Sequence, residues 1–324
     1  MNDNSKAKQN IVSENDVASE KAKVPSRARA IERSIIKKFR PTIWRPFVRA
    51  VNDYDLIAPG DKIAVCISGG KDSMLMAKLF QELKRHGKIP FELAFLSMDP
   101  GYHAVNAEKI RQNAELLDIP LTTFKTQIFD IVDHIPSSPC YLCARMRRGY
   151  LYDNARKLGC NKIALGHHFD DVIETIVMGM LYGGQIQTMM PKLHSTNFEG
   201  MELIRPMSLI REQAIIHWAD YNHLSFIRCA CRFTEQINRA RENYVSQEEL
   251  LRNEDDALPA NISGEEIEHP SKRQEVKALI AKLAAKDPVI ENNIFRSVEN
   301  VNLNTVVAFK KDGVKHHFLD DYDK

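Results

Sequence analysis

No stretch of about 18 consecutive apolar residues occurs in this 324-residue chain, so the sequence offers no membrane-spanning helix. The opening MNDNSKAKQNIVSENDVASEKAK has no apolar core, so no secretory signal is expected and the cytoplasm is the expected location. Cysteine is scarce, six in the whole chain. That is too few for a disulfide scaffold of this length, and in a reducing compartment such thiols serve better as metal ligands or reactive groups. Net charge is close to nil, +2 from 45 basic and 43 acidic side chains, so composition alone names no partner. No internal repeat is found. What remains is ordinary for a folded protein, 44% hydrophobic and 27% charged, which excludes wholesale disorder. The length suggests roughly two domains of about 150 residues each.

Residues 1–26 are polar, lack periodicity and read as a disordered tail. The stretch 27–50 reads as a basic N-terminal helix. Arg27, Arg29, Arg33, Lys37, Lys38, Arg40, Arg45 and Arg49 face a single acid, Glu32, while Ile31, Ile35, Ile36 and Phe39 recur at helical spacing. Such a segment is either a solvated helix packed on the core or an arm that touches phosphates.

From residue 61 a strand–loop–helix rhythm sets in. Strands are predicted at 62–67, 92–97, 121–125 and 162–165, with helices at about 73–86, 104–117, 144–158 and 171–182. This alternation predicts an α/β fold, a parallel sheet with helices on both faces, over 51–208. Ligands of such sheets bind beyond the carboxyl ends of the strands. A helical C-terminal region follows over 209–304, with helices at about 212–221, 234–252 and 271–285 and an acidic linker at 253–269. Residues 305–324 form a short tail or a hairpin around Lys311-Asp312-Gly313.

The first chemistry-bearing segment is Ser68-Gly69-Gly70-Lys71-Asp72-Ser73, where a strand runs through glycines into a helix. Two glycines let backbone N–H groups approach an anion, Ser68 and Ser73 add hydroxyls, Lys71 adds a cation, and the helix presents its N-terminus to the same point. The spacing differs from the Walker pattern. A second loop, Gly166-His167-His168-Phe169-Asp170-Asp171, follows the 162–165 strand; Gly166 permits close approach to a nucleotide. Asp170 and Asp171 could hold Mg²⁺ or cap the next helix. Cys140-Tyr-Leu-Cys143 opens a helix bearing Arg145, Arg147 and Arg148, surroundings that favour thiolate. With Cys229-Ala-Cys231 downstream, four soft ligands are available, for structural zinc or for an iron–sulfur cluster; spacing leaves both open. Cys66 and Cys160 read as packed small hydrophobes.

SGGKDS after a hydrophobic strand resembles the PP-loop of ATP pyrophosphatases, which cleave ATP between the α- and β-phosphates. The order SGGKDS, CxxCxRxRRGxLY (140–152), GHHxDD and a distal cysteine pair followed by Arg239 is similar to the tRNA 2-thiocytidine synthetase (TtcA) family, over about 37–304. Ala164-Leu-Gly-His-His, Tyr182-Gly-Gly, Pro191-Lys-Leu and Ile204-Arg-Pro follow the same order.

The resemblance implies an adenine nucleotide α-hydrolase-like domain that binds ATP through Ser68, Gly69, Gly70, Lys71, Asp72 and Ser73. Gly166 and His167 lie beside the nucleotide, and Met98 packs on or bonds to adenine. It implies Mg²⁺ and a 4Fe-4S cluster on Cys140, Cys143 and a third cysteine. The family's distal pair is usually spaced C-x-x-C; here it is C-A-C, and anchoring at Arg239 puts the third ligand at Cys231, with Cys229 the runner-up. The implied reaction adenylates the C2 carbonyl of cytidine 32 in a tRNA anticodon loop, after which sulfur displaces AMP. Catalytic roles fall to Lys71, Asp72, Asp171, Cys140 and Cys143, with Asp72 or Asp171 as the base. The implied partners are tRNA and a sulfur donor such as a cysteine desulfurase, with a homodimer as a further expectation.

The Arg27–Arg49 stretch with Trp44 and Phe47 and the arginines after Cys143 would either meet the RNA or be solvated helix faces, and Lys192 and Arg205 would reach the phosphates or the cytidine. A uridine-thiolating relative would carry extra zinc-finger cysteine pairs, which this chain lacks. A lysidine-type ligase has no use for the cysteine set. A non-catalytic, zinc-stabilised RNA-binding protein has no use for an intact SGGKDS.

Overall fold

The computed structural model describes residues 26–129, 139–227, 271–320 and Tyr322. The expected tail before residue 26, the 234–252 helix and the 253–269 linker lie outside the described residues.

The strands are β1 (Lys62–Ile67), β2 (Glu92–Asp99), β3 (Leu121–Lys125), β4 (Lys162–Ala164), β5 (Lys192–His194) and β6 (Glu202–Ile204), in the spatial order β3-β2-β1-β4-β6-β5. Five run parallel, and β5 closes one edge antiparallel to β6. Strand β1 is apolar without alternation because both of its faces are covered. Ile63, Val65 and Ile67 turn to a large core with α3 (Lys71–His86), α4 (Ala104–Leu116) and α7 (Glu212–Tyr221). Ala64 and Cys66 turn the other way, to Tyr152 and Ala155 of α5 (Pro139–Lys157). The expected two-faced parallel sheet is therefore present. The chain leaves β1 toward β2 on one side and returns to β4 on the other, so a switch point falls between β1 and β4.

The basic segment is two helices, α1 (Arg27–Ile36) and α2 (Arg45–Asp53), joined by a π-helical turn at Arg40–Trp44. Pro41 and Pro46 supply no N–H and crowd the preceding turn, which breaks the single helix that periodicity suggests. Glu32 is buried and bonds Lys78 (2.6 Å) and Arg85 (2.8 Å) of α3, tying the two helices together. Phe47 is fully buried and packs edge-on against Phe80, so it belongs to the core and cannot stack on a base as expected. Trp44 is half-buried beside it.

Helix α6 (Phe169–Gly183) carries on its outer side α8 (Lys272–Ala284) and α9 (Val289–Ser297), with Phe169 stacked on Phe295 at 4.7 Å. The C-terminal hairpin pairs β7 (Ala308–Lys311) with β8 (Val314–His317); Asp312 and Gly313 both have positive φ, as a tight two-residue hairpin turn requires. No helix among the described residues is long and apolar enough to cross a membrane.

Candidate active site

The loop after β1 and the loop after β4 meet at the switch point. Gly69 has φ +89°, and a Cβ there would come within 2.4 Å of Ile110 Cγ1 and 2.8 Å of Ile227 Cδ1, so only glycine fits. The Ser68 N–H and hydroxyl both donate to Ser73 Oγ at 3.2 Å, and that hydroxyl donates to the Gly70 carbonyl at 3.0 Å. The turn is thus held from within. Gly70, the residue before α3, makes no side-chain cap, so the first N–H groups of a 16-residue helix are left for an anion. Gly166 presses on the same turn: a Cβ there would lie 3.3 Å from the Asp72 carbonyl carbon and the Ser73 nitrogen. These are the features of a cradle shaped for phosphate.

Lys71 Nζ lies 3.2 Å from Asp72 Oδ1 and 3.0 Å from Glu212 Oε1. Burial works against its charge, but the two carboxylates outweigh burial and hold its pKa above the usual lysine value. Asp72 is held above the ordinary carboxyl value because desolvation outweighs the pull of Lys71 and His168. Glu212 is driven the other way. Its burial is overcome by bonds from Lys277 (2.6 Å) and Lys71, which hold it at about 2.

The two aspartates of the second loop separate in role. Asp170 accepts from Arg211 (3.0 Å) and from the Glu212 N–H (2.6 Å), bracing α6 against the start of α7. Asp171 forms a capping box in which His168 is the N-cap, and its other oxygen meets Arg273 at 2.9 Å. The acceptor that neighbours Asp72 is therefore Asp171. His167 accepts from Arg205 Nε at 3.3 Å; burial, then the Arg205 charge, lowers it to about 4, so it is neutral at pH 7. Lys192 is turned to the Asp55 carbonyl at 2.8 Å.

Strand β2 ends beside the loop. Ser97 and Asp99 line a cavity of about 370 Å³ with Tyr102, Ile110 and Thr123, next to Gly69 through Ile110. The Met98 side chain points to the opposite face and is buried with Ile128 against Leu142, Cys143 and Met146. Strand alternation thus turns the side chain away from that cavity and leaves the main chain of Met98 at the strand end.

Helix α5 starts at Pro139, five residues before the predicted start, so Cys140 and Cys143 fall within its first turns at the i, i+3 spacing of helix neighbours. Cys143 is half-buried against the Met98 cluster. Cys66 and Cys160 are buried in the core; burial pushes the Cys66 thiol up to about 12, as suits packed hydrophobes. Cys229 and Cys231 lie outside the described residues, but Ile227, the last described residue before them, covers Gly69 and Gly70. Among the described residues no group of three or more His, Cys, Asp or Glu is gathered as a metal site.

Sequence reasoning missed Glu212, Arg211, Arg273 and Lys277. Their partners are distant in the chain, 141 residues for Glu212 and Lys71, and no local spacing marks such pairs.

Residues 41–245 match the PP-loop domain model. The tRNA-cytidine(32) 2-sulfurtransferase of Aliivibrio fischeri is 38% identical over 229 residues, 69% of this chain and 73% of the relative. That of Neisseria meningitidis is 38% identical over 183 residues, 56% of this chain and 57% of the relative. Among solved structures, the U34-tRNA thiolase NcsA from Methanococcus maripaludis with its 4Fe-4S cluster superposes with a TM-score of 0.57 at 20% identity, covering 83% of this chain and 78% of that one. The phosphate cradle at the β1–β4 switch point and this degree of identity agree: the chain belongs to the PP-loop family and, within it, to the tRNA-cytidine(32) 2-sulfurtransferases.

Proposed function

We propose that this protein is an ATP-dependent thiolase that converts cytidine 32 of a tRNA anticodon loop to 2-thiocytidine. One observation carries the reading: a cysteine of the first pair packs on the end of β2, the strand paired with the one that runs into the phosphate turn. Cys143 packs on Met98 at the end of β2, and Ile227, two residues before Cys229, rests on Gly69 and Gly70.

In the first step the C2 carbonyl oxygen attacks the α-phosphorus of ATP and the bond to the β-phosphate oxygen breaks, releasing pyrophosphate. In the second, sulfide attacks C2 and AMP leaves with the original oxygen. The uncapped N–H groups of α3 and Lys71 stabilise charge on the departing pyrophosphate, as preorganised donors do. Lys71, held cationic between Asp72 and Glu212, trades those carboxylates for phosphate oxygens. Asp72, desolvated and raised, is poised to take the proton that the base sheds on activation. Asp171 is the carboxylate to hold Mg²⁺ beside the phosphates once Arg273 releases its Oδ1, since Asp170 is bound on both oxygens by Arg211 and the start of α7. Cys140, Cys143 and Cys231, with Cys229 as runner-up, would hold the 4Fe-4S cluster, which supplies sulfur as a nucleophile at neutral pH. A cysteine desulfurase is the natural class of sulfur donor, and a homodimer fits the same reading.

Nucleoside mass spectrometry tests it. Deletion of the gene is expected to remove 2-thiocytidine from tRNA; loss of 2-thiouridine instead would assign the sister reaction. Anaerobically purified protein is expected to be brown with about four irons per chain. In Cys143→Ala, iron and thiolation should vanish while ATP binding persists. Colourless wild-type protein with one zinc would overturn the cluster.

A further inference from the structure

Helix α8 brings two cations to the rim of the phosphate turn that the steps above do not use. Lys277 Nζ lies 2.6 Å from Glu212 Oε2, while Lys71 Nζ lies 3.0 Å from Oε1 of the same carboxylate. The two ammonium groups thus occupy the two oxygens of one carboxylate. Arg273 is anchored by Nε on Glu174 at 2.7 Å, and its Nη2 reaches Asp171 at 2.9 Å. Both cations line one cavity of about 240 Å³, together with His168, Asp171, Glu174 and Glu212, between α8 and the start of α6. Their side chains are 44% and 58% exposed, so each is held by its carboxylate and still able to turn.

Pyrophosphate carries more negative charge than one lysine can match, and its oxygens are best met by a guanidinium fork and further ammonium groups. We propose that Arg273 and Lys277 form the second wall of the triphosphate site, binding the β- and γ-phosphates and then the departing pyrophosphate opposite Lys71. The proposal rests on the ATP-pyrophosphatase reading above. Glu174 keeps the guanidinium aimed at the cavity while its Nη side exchanges Asp171 for phosphate oxygen. Glu212 sets the distance between the two ammonium groups.

Calorimetric titration of the full chain with inorganic pyrophosphate and Mg²⁺, and separately with AMP, tests this. In Arg273→Gln and in Lys277→Gln the pyrophosphate dissociation constant is expected to rise about tenfold, the loss of one charge-assisted bond, with AMP binding within about twofold of wild type. Arg273→Lys, which keeps the charge but cannot bond Glu174 and phosphate as a fork, should recover only part of the loss. Unchanged pyrophosphate affinity in both glutamine variants overturns the proposal, as does an equal loss of pyrophosphate and AMP binding with a lowered melting temperature. Should the variants fail to fold, acetylation footprinting of the wild-type chain decides: pyrophosphate, and not AMP, should shield Lys277, and absence of shielding overturns the proposal. A wild-type chain that binds neither ligand counts against the nucleotide reading itself, and the second wall falls with it.

Discussion

Gly166 is where the two loops depend on a single missing atom. The backbone of Asp72 and Ser73 lies 3.3 Å from where a Cβ would stand, and main chain in the first turn of a helix cannot swing aside as a side chain can. Gly166→Ala is expected to cost about 1–3 kcal/mol of stability, the usual penalty of overpacking, and to weaken ATP binding by prying the loops apart. Thermal melts and nucleotide titration read both effects. Lys71 is the complementary case, since its removal takes away charge and leaves the shape. Lys71→Ala should cut ATP turnover at least about 100-fold with the fold intact, measured by AMP release. Both residues are legible in the sequence because glycines and a lysine between a strand and a helix have few other uses. The ambiguity over Asp170 and Asp171 is not resolvable there, because adjacent aspartates at a helix start suit a metal or a cap equally. The structure gives one to Arg211 and the other to a capping box whose cap is His168.

Among the elements, the long ones are legible and the short ones are not. Strands β1, β2 and β4 announce themselves as apolar runs and β3 by its β-branched and aromatic residues, whereas β5 and β6, three residues each, are too short for any period to show. Helix α9 escapes sequence reasoning, and the basic segment reads as one helix because its apolar spacing outweighs Pro41 and Pro46. The α7–α8 clasp leaves no trace in the sequence, since an ion pair between distant segments has no spacing. Its energetic signature is acid sensitivity. Glu212 falls from an ordinary 4.5 unfolded to about 2 folded, so it stabilises the fold above pH 4.5, and that contribution is lost as pH falls toward 2. Glu212→Gln is therefore expected to be less stable at pH 7, by on the order of 1–3 kcal/mol, and to lose less on acidification. Chemical denaturation at pH 7 and pH 3 reads the difference.

For the whole molecule, a net charge of +2 hides a strongly basic stretch near the N-terminus. All eight basic residues between Arg27 and Arg49 are exposed, and Glu32, the lone acid among them, is buried on α3. The stretch thus presents eight exposed cations, with the exposed Asp53 one turn beyond Arg49 on α2. If tRNA lies across it, affinity should fall steeply with salt, and replacing Arg33, Lys37 and Arg40 by Glu should flatten the log–log slope by roughly one for each phosphate no longer neutralised. Filter binding from about 50 to 200 mM salt gives the slope, and an unchanged slope would place the RNA elsewhere.

Glu32 also means that this stretch is not a loose appendage. Its carboxylate grips Lys78 and Arg85 on the helix whose first turn is Lys71, Asp72 and Ser73. A load applied to the outside of α1 is borne by α3, so the part of the protein that would grasp a polyanion and the part that grips a triphosphate are two ends of one stiff rod.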